Sequence, residues 1–335
     1  MRVISVFTVI TVVSLVLATA DTTKVDSSTV HSDVKLVSHN HVKRILRRHI
    51  SNNNEERGVA EKVDDLATKL DDVTGISKLD DVVPKAKKIS RLDVIAKHLG
   101  ELSEKAALAN KLSSKYDDAG FLSLPTLRQL DEIENLRATD IVRYSKTNGK
   151  SLRKEIPDFA GKKTAPEKYL TAHVGRDQQR YGLDDSRLLA SAVVYDPATE
   201  RVLLISSTNP NKNDFLSIKG GWDHGENIEK ATLREVIEEG GVRAGLMHNL
   251  GEMKFSEGKN KYTYYSYLVK SNTVYDDWAE SSRYRIWVPF DDAIVMVSKR
   301  DHMVKVVKQA KEVAAKIKRG ELDEVDPKLL KFTLD

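Results

Sequence analysis

Gly220-Gly221-Trp222-Asp223-His224-Gly225-Glu226 is followed, after four intervening residues, by Ala231-Thr232-Leu233-Arg234-Glu235-Val236-Ile237-Glu238-Glu239-Gly240-Gly241-Val242. On a helix, Glu235, Glu238 and Glu239 stand at i, i+3 and i+4, so their carboxylates share one face. Crowded carboxylates repel one another unless a cation sits among them. Carboxylate oxygens suit a hard, partly hydrated divalent cation, which points to Mg²⁺ or Mn²⁺. Three acids alone would ordinarily be a solvated helix face; the flanking glycines argue otherwise. Gly220-Gly221 lets the backbone approach a phosphate, and Gly240-Gly241 ends the helix sharply. Arg234, one turn before Glu238, is placed to orient a carboxylate rather than to bind substrate.

Strand signals surround this helix. Leu188 to Tyr195 is apolar and β-prone, Asp196-Pro197-Ala198-Thr199 makes a turn, and Val202 to Ile205 is a second strand. Tyr262 to Val269 alternates as a further strand. A last helix over about 299–318 carries Val304, Val307 and Ala310 on one face and lysines on the other, and is expected to cover the sheet.

Gly220, five residues, Glu226, seven residues and then Arg234-Glu235-Val236-Ile237-Glu238-Glu239-Gly240-Gly241-Val242 resembles the Nudix box at every fixed position. The resemblance is to the Nudix hydrolases. It implies an α/β fold, an αβα Nudix sandwich with a mixed sheet over 183–318, and Mg- or Mn-dependent hydrolysis of a diphosphate bond in a small molecule. Carried over by motif position, it makes Glu235 and Glu239 metal ligands and Glu226 an outer or additional ligand. The Lys219 carbonyl would complete the shell, and Glu238 would be the general base beside Arg234. In this family the base sometimes comes from a distant loop. Lys219-Gly220-Gly221-Trp222, Asp277-Trp278 and Trp287-Val288-Pro289-Phe290-Asp291-Asp292-Ala293 look like the diphosphoinositol polyphosphate phosphohydrolase branch. That likeness implies a polyanionic substrate, with Gly220, Gly221, Arg187, Lys219, Lys261, Arg283, Arg285 and Lys299 as its contacts. Ser206, Ser207 and Thr208 at the end of the second strand either donate to phosphates or cap the strand. Trp222 either stacks on a ring or packs the loop.

The N-terminus reads as an address. Met1-Arg2, an apolar run from Val3 to Leu17 and small residues at Ala18-Thr19-Ala20 have the order of a cleaved signal peptide, residues 1–20. The run falls short of the roughly 20 residues that span a bilayer. Residues 21–58 are polar without periodicity, a disordered leader. Within it Arg44-Ile45-Leu46-Arg47 precedes Glu55-Glu56-Arg57. Signal, RxLR and EER in that order resemble the leader of the RXLR effectors of plant-pathogenic oomycetes. The resemblance implies secretion, then entry into the host cell interior, cytoplasm or nucleus, and suppression of host immunity. Effectors that pair this leader with a Nudix domain further imply ADP-ribose and NADH as substrates.

Composition excludes other classes. The 335 residues contain no cysteine, which rules out disulfides, thiolate catalysis and cysteine zinc sites. A net charge of +4, from 54 basic and 50 acidic side chains, gives no reason to expect a nucleic-acid partner. No later segment is apolar enough for a membrane span. Between leader and box, Val63, Leu66, Leu70 and Val73, then Leu92, Ile95, Leu99 and Leu102, recur at helical spacing. Pro84, Gly100, Gly120 and Pro125 punctuate them, so several short helices are expected over 59–145. They form either a docking surface for host proteins or a packing appendage; the Trp that marks helical modules of RXLR effectors is absent before Trp222. Residues 146–182 read as a linker and 319–335 as a C-terminal tail. The alternative function is a non-catalytic effector that binds host proteins through its helical region or Nudix surface, although a scaffold has no need of clustered glutamates.

Overall fold

The structure, a computed structural model, describes residues 85–146, 154, 156–171 and 175–334. The signal peptide, the leader with Arg44–Arg47 and Glu55–Arg57, and the Val63–Val73 pattern lie outside the described residues. The chain divides between Ser103 and Glu104. Helix α1 (Lys85–Leu112) crosses that division and continues through Gly100, which was expected to interrupt it. An interior glycine costs only about 1 kcal/mol relative to alanine, which a long helix absorbs. Everything else described belongs to the unit from Glu104 onward.

Helix α2 (Leu124–Lys146) takes Pro125 in its first turn, where the missing N–H leaves no bond unmade. Strands β1 (Arg187–Asp196), β2 (Arg201–Ser206), β3 (Phe215–Leu216) and β4 (Ile218–Gly221) precede helix α3 (Ile228–Gly240). Then follow β5 (Val242–Glu257), β6 (Asn260–Val274), β7 (Arg285–Pro289), α4 (Phe290–Met296) and α5 (Asp301–Lys318). The seven strands form one sheet in the order β3-β2-β1-β6-β5, with β4 added to β1 and β7 to β2. β1 and β6 run parallel and every other pair is antiparallel, so the sheet is mixed as expected.

Both faces of the sheet are covered, which is why β1 reads as continuously apolar rather than alternating. On one face, Leu233 and Val236 of α3 pack with Ala192, Val194, Leu203, Ile205 and Ile218. On the other, Met303, Val306, Val307 and Ala310 of α5 pack with Val193, Val202, Leu204 and Val288. Leu127, Leu130 and Ile133 of α2 belong to that second core. Full burial of each Leu, Ile, Val or Met among them is worth about 1.5–3 kcal/mol.

The domain limits drawn from sequence therefore need correction. From Glu104 onward the helical region packs as a layer on the sheet, which favours the packing reading. The start of α2 is tied down by Asp292 of α4, whose carboxylate accepts the Ser123 N–H at 3.1 Å and the hydroxyls of Ser123 and Thr126. An anion suits the N-terminal end of a helix. The stretch expected to be a linker buries Ala165 and Tyr169 against Ile237, Tyr275 and Trp278. The expected tail buries Leu329 beside α3, and the Asp326 N–H donates to the Met247 carbonyl at 2.9 Å. Apolar residues in both stretches are too sparse for a period to show. Among the described residues no helix is long and apolar enough to cross a membrane.

Candidate active site

Helix α3 brings Glu235, Glu238 and Glu239 together, and all three are buried. It ends at Gly241, whose φ of +61° is left-handed and whose N–H donates to the Ile237 carbonyl at 2.9 Å. A side chain there would also meet the Trp278 ring at 2.6 Å, so glycine is required twice over. Gly220 has a different reason from the one expected. A Cβ at Gly220 would lie 1.9 Å from the Glu235 carboxylate. The glycine makes room for that carboxylate.

Two arginines hold the acids. Arg234 grips both oxygens of Glu226, at 2.7 and 3.2 Å, and donates to Glu235 Oε1 at 2.7 Å. It reaches Glu238 Oε2 at 3.5 Å and the Gly221 carbonyl at 2.8 Å. All of these partners are acceptors on the protein itself. Arg283 donates from Nη2 to Glu239 Oε1 at 3.1 Å and from Nη1 to the Ser206 carbonyl at 3.0 Å, and its Nε pairs with Glu280. The Lys219 N–H donates to Glu239 Oε2 at 3.0 Å. Six carboxylates (Asp223, Glu226, Glu235, Glu238, Glu239 and Glu280) thus share two guanidiniums.

That imbalance shows in the acidities. Burial pushes the Glu235 carboxyl well above the ordinary range; Arg234 opposes the shift, and Glu239 and Glu238 add to it. Burial likewise raises Glu280, with Arg283 opposing and Glu239 adding. Glu280 was missed from sequence. Its only signal was its place two residues beyond Trp278 in a segment already noted, and its backbone N–H donates to the Glu238 carbonyl at 3.1 Å.

Among the described residues, no three acids or histidines already stand at metal-binding spacing. One oxygen each of Glu235 and Glu239 is taken by a guanidinium. The donor set nevertheless fits a hard divalent cation: it is all oxygen, carries surplus negative charge, and has a carboxylate lodged in the space Gly220 leaves.

The expected substrate contacts divide. Arg283 reaches the cluster, as does Lys219 through its main chain. Arg187 donates to Gln179 Oε1 at 2.6 Å. Gln179 also fills the space over Gly221 and was not anticipated. Lys261 is exposed and donates to the Asp184 carbonyl at 3.1 Å. Arg285 and Lys299 are corrections. Arg285 donates to the carbonyls of Gly240, Gly241 and Tyr275 at 3.3, 3.2 and 2.8 Å and lies over the Trp278 ring, so it finishes α3. Lys299 pairs with Asp117 at 3.2 Å, both side chains exposed. Ser206 Oγ accepts the Tyr284 N–H at 3.0 Å and donates to the Ser207 carbonyl, and Ser207 Oγ accepts the Asn209 N–H at 3.3 Å. Trp222 packs the loop: its indole N–H donates to the Glu226 carbonyl at 3.0 Å, and its ring meets Tyr265 edge-on.

The family described as NUDIX domain matches residues 185–309. An RxLR effector protein, CRE5, of Phytophthora infestans is 45% identical over 212 residues, covering 61% of this chain and 80% of its own. The chain belongs to the RxLR effector proteins that carry a Nudix domain. A second RxLR effector protein of Phytophthora infestans is 42% identical over 240 residues and 85% of its length. Nudix hydrolase 21, chloroplastic, of Arabidopsis thaliana is 34% identical over 133 residues, 37% of this effector and 67% of the plant protein. Likeness to the first effector therefore covers more of the chain than likeness to the plant hydrolase, 61% against 37%.

Proposed function

We propose that this effector hydrolyses a diphosphate bond in a small phosphorylated molecule. Glu235 and Glu239 would hold a divalent cation, Mg²⁺ or Mn²⁺, with Glu226 and the Lys219 carbonyl as further ligands. The observation that carries this reading is the excess of buried carboxylate over guanidinium around α3. The cation, when bound, supplies charge neutralisation at the phosphoryl oxygens and a more acidic water. Arg234 fixes Glu226 and Glu235, and Arg283 keeps Glu239 turned toward β4. Glu238 takes the proton of the attacking water. Glu280 is the second candidate base, because burial raises its carboxyl above the ordinary range beside the cluster.

ADP-ribose, NADH and diphosphoinositol polyphosphates remain the substrate classes. Delivery rests on the signal peptide and the RxLR and EER motifs, which take the protein from secretion into the host cytoplasm or nucleus, where hydrolysis suppresses immunity. The test is a panel of these substrates with the mature chain in Mg²⁺ or Mn²⁺, alongside Glu238→Gln and Glu239→Gln. Turnover of at least one substrate, lost in both variants, is expected; no turnover of any overturns the reading. Full immune suppression by both variants inside plant cells would leave the non-catalytic, host-protein-binding effector in its place.

A further inference from the structure

A strap of chain outside the family match crosses the loop between β4 and α3, and its backbone is held on both sides. The Gln178 carbonyl accepts the His224 N–H and the Arg180 N–H donates to the Trp222 carbonyl, both at 2.8 Å. The Arg180 carbonyl accepts the Leu188 N–H at 3.2 Å. The Arg180 guanidinium donates from Nε to the Asp223 carbonyl at 3.1 Å and lies over the Trp222 ring. These bonds fix the backbone around Gln179, ahead of residue 185, where the family match starts.

Gln179 uses both ends of its amide. Nε2 fills the space beside Gly221 and donates to the Gly175 carbonyl at 3.3 Å, while Oε1 accepts Arg187 Nε at 2.6 Å. Side chains alternate along a strand, so Arg187 and Leu189 share a face of β1, with Leu189 opposite Gly221 of β4 and Tyr264 of β6. The acid cluster adjoins this pair: the Gly221 carbonyl accepts Arg234, and Glu235 lodges against Gly220. Burial raises the Tyr264 pKa, Glu239 adds to the shift and Arg187 opposes it, so both charges act on one hydroxyl.

Arg187 differs from the two arginines of the cluster. Arg234 and Arg283 are each paired with carboxylates. Arg187 is held by a neutral amide, and among the described residues it forms no ion pair. An uncharged acceptor fixes the guanidinium through Nε and leaves its positive charge uncancelled. Nη1 and Nη2 then form a fork, the geometry that takes two phosphoryl oxygens. We propose that Gln179 is a positioning residue for substrate binding: it holds Arg187 so that Nη1 and Nη2 grip a phosphoryl group of the diphosphate beside the acid cluster. The inference rests on the diphosphate-hydrolase reading above, and it gives the strap a part in the site.

The test uses the full chain with Mg²⁺ and methylenediphosphonate, a diphosphate analogue whose bridging carbon resists hydrolysis. Gln179→Glu sets a carboxylate against Arg187 and should weaken the probe by at least about tenfold, the scale of one charge-assisted contact. Gln179→Met, uncharged and of similar length, should weaken it less, and Arg187→Gln about as much as Gln179→Glu. Adding Gln179→Met to Arg187→Gln should cost nothing further, because Gln179 acts through Arg187. With ADP-ribose or a diphosphoinositol pentakisphosphate as substrate, Gln179→Glu should raise KM by a similar factor and leave kcat within about twofold. A residue that only packs the strap would lower the melting temperature in both variants at position 179 and leave KM alone, and that result overturns the proposal. Parent-like probe affinity in Gln179→Glu, or losses that add in the double variant, overturn it as well. Should Gln179→Met fail to fold, Gln179→Leu is read the same way. A parent that cleaves neither substrate defeats the hydrolase reading, and the probe affinities alone then decide the role of Gln179.

Discussion

Glu134 on α2 and Glu235 on α3 are both buried glutamates on helices that cover the sheet, yet their acidities move in opposite directions. Burial alone would raise both. Around Glu134, Lys115, the Tyr116 hydroxyl and Arg137 all bind the carboxylate and hold it below its ordinary range. Around Glu235, burial prevails because Arg234 is divided among several acids and Glu239 and Glu238 repel. The first cluster is complete and holds helices together. The second is short of positive charge, the feature on which the proposed cation site rests.

The largest effect expected from this contrast is on turnover. Glu238→Gln or Glu239→Gln should lower kcat by about 10²-fold or more while leaving the helix intact, because glutamine is nearly isosteric and a good helix former. Steady-state rates within a few-fold of the parent for both would erase the distinction between the clusters.

Stability should respond the other way round. Glu134→Gln leaves Arg137 and Lys115 facing an uncharged amide, a loss of about 2–3 kcal/mol, at the low end for a broken buried pair because Lys115 is half-exposed. Glu235→Gln removes a repelled charge and should be neutral or stabilising in metal-free protein. Urea midpoints compare them, and an equal loss in both variants would contradict the contrast.

The pH windows should also be opposite. Glu235 has a folded pKa above its unfolded value of roughly 4.3, so the native state binds more protons. Its contribution is fully present below that value and fades as pH rises toward neutrality. Metal-free protein should therefore melt lower at pH 7.5 than at pH 5.5, and Mg²⁺ or Mn²⁺ should recover the difference. Glu134 has a lowered folded pKa, so its contribution is present above the unfolded value and is lost as pH falls through the folded one. Melting curves of Glu235→Gln should lose the neutral-side slope and keep the acid-side one; persistence of the neutral-side slope would remove Glu235 as its source.

The smallest effect belongs to Lys299→Ala. Its partner Asp117 is as exposed as it is, so stability should change by less than about 0.5 kcal/mol and kcat/KM by less than twofold. A tenfold rise in KM for a polyphosphorylated substrate would restore Lys299 as a substrate contact.

Local spacing was enough for some of this protein. Carboxylates at i, i+3 and i+4 share a face in any helix, so Glu235, Glu238, Glu239 and the orienting Arg234 could be read directly, as could the apolar runs of β1 and β2. Gly240-Gly241 announced the end of α3, because only glycine enters the left-handed region cheaply. What lies opposite each side chain was decided only when the chain closed. Gly220 faces Glu235, Arg285 finishes α3, Lys299 meets Asp117, and Glu280 joins the acids from 41 positions beyond Glu239. The layer built by α2 was hidden for the same reason. Its period of apolar residues says that one face is buried, but not that the buried face completes a core shared with β1, β2 and α5. Contacts between distant segments depend on the register and stacking of the whole sheet, and no local pattern of residues encodes those.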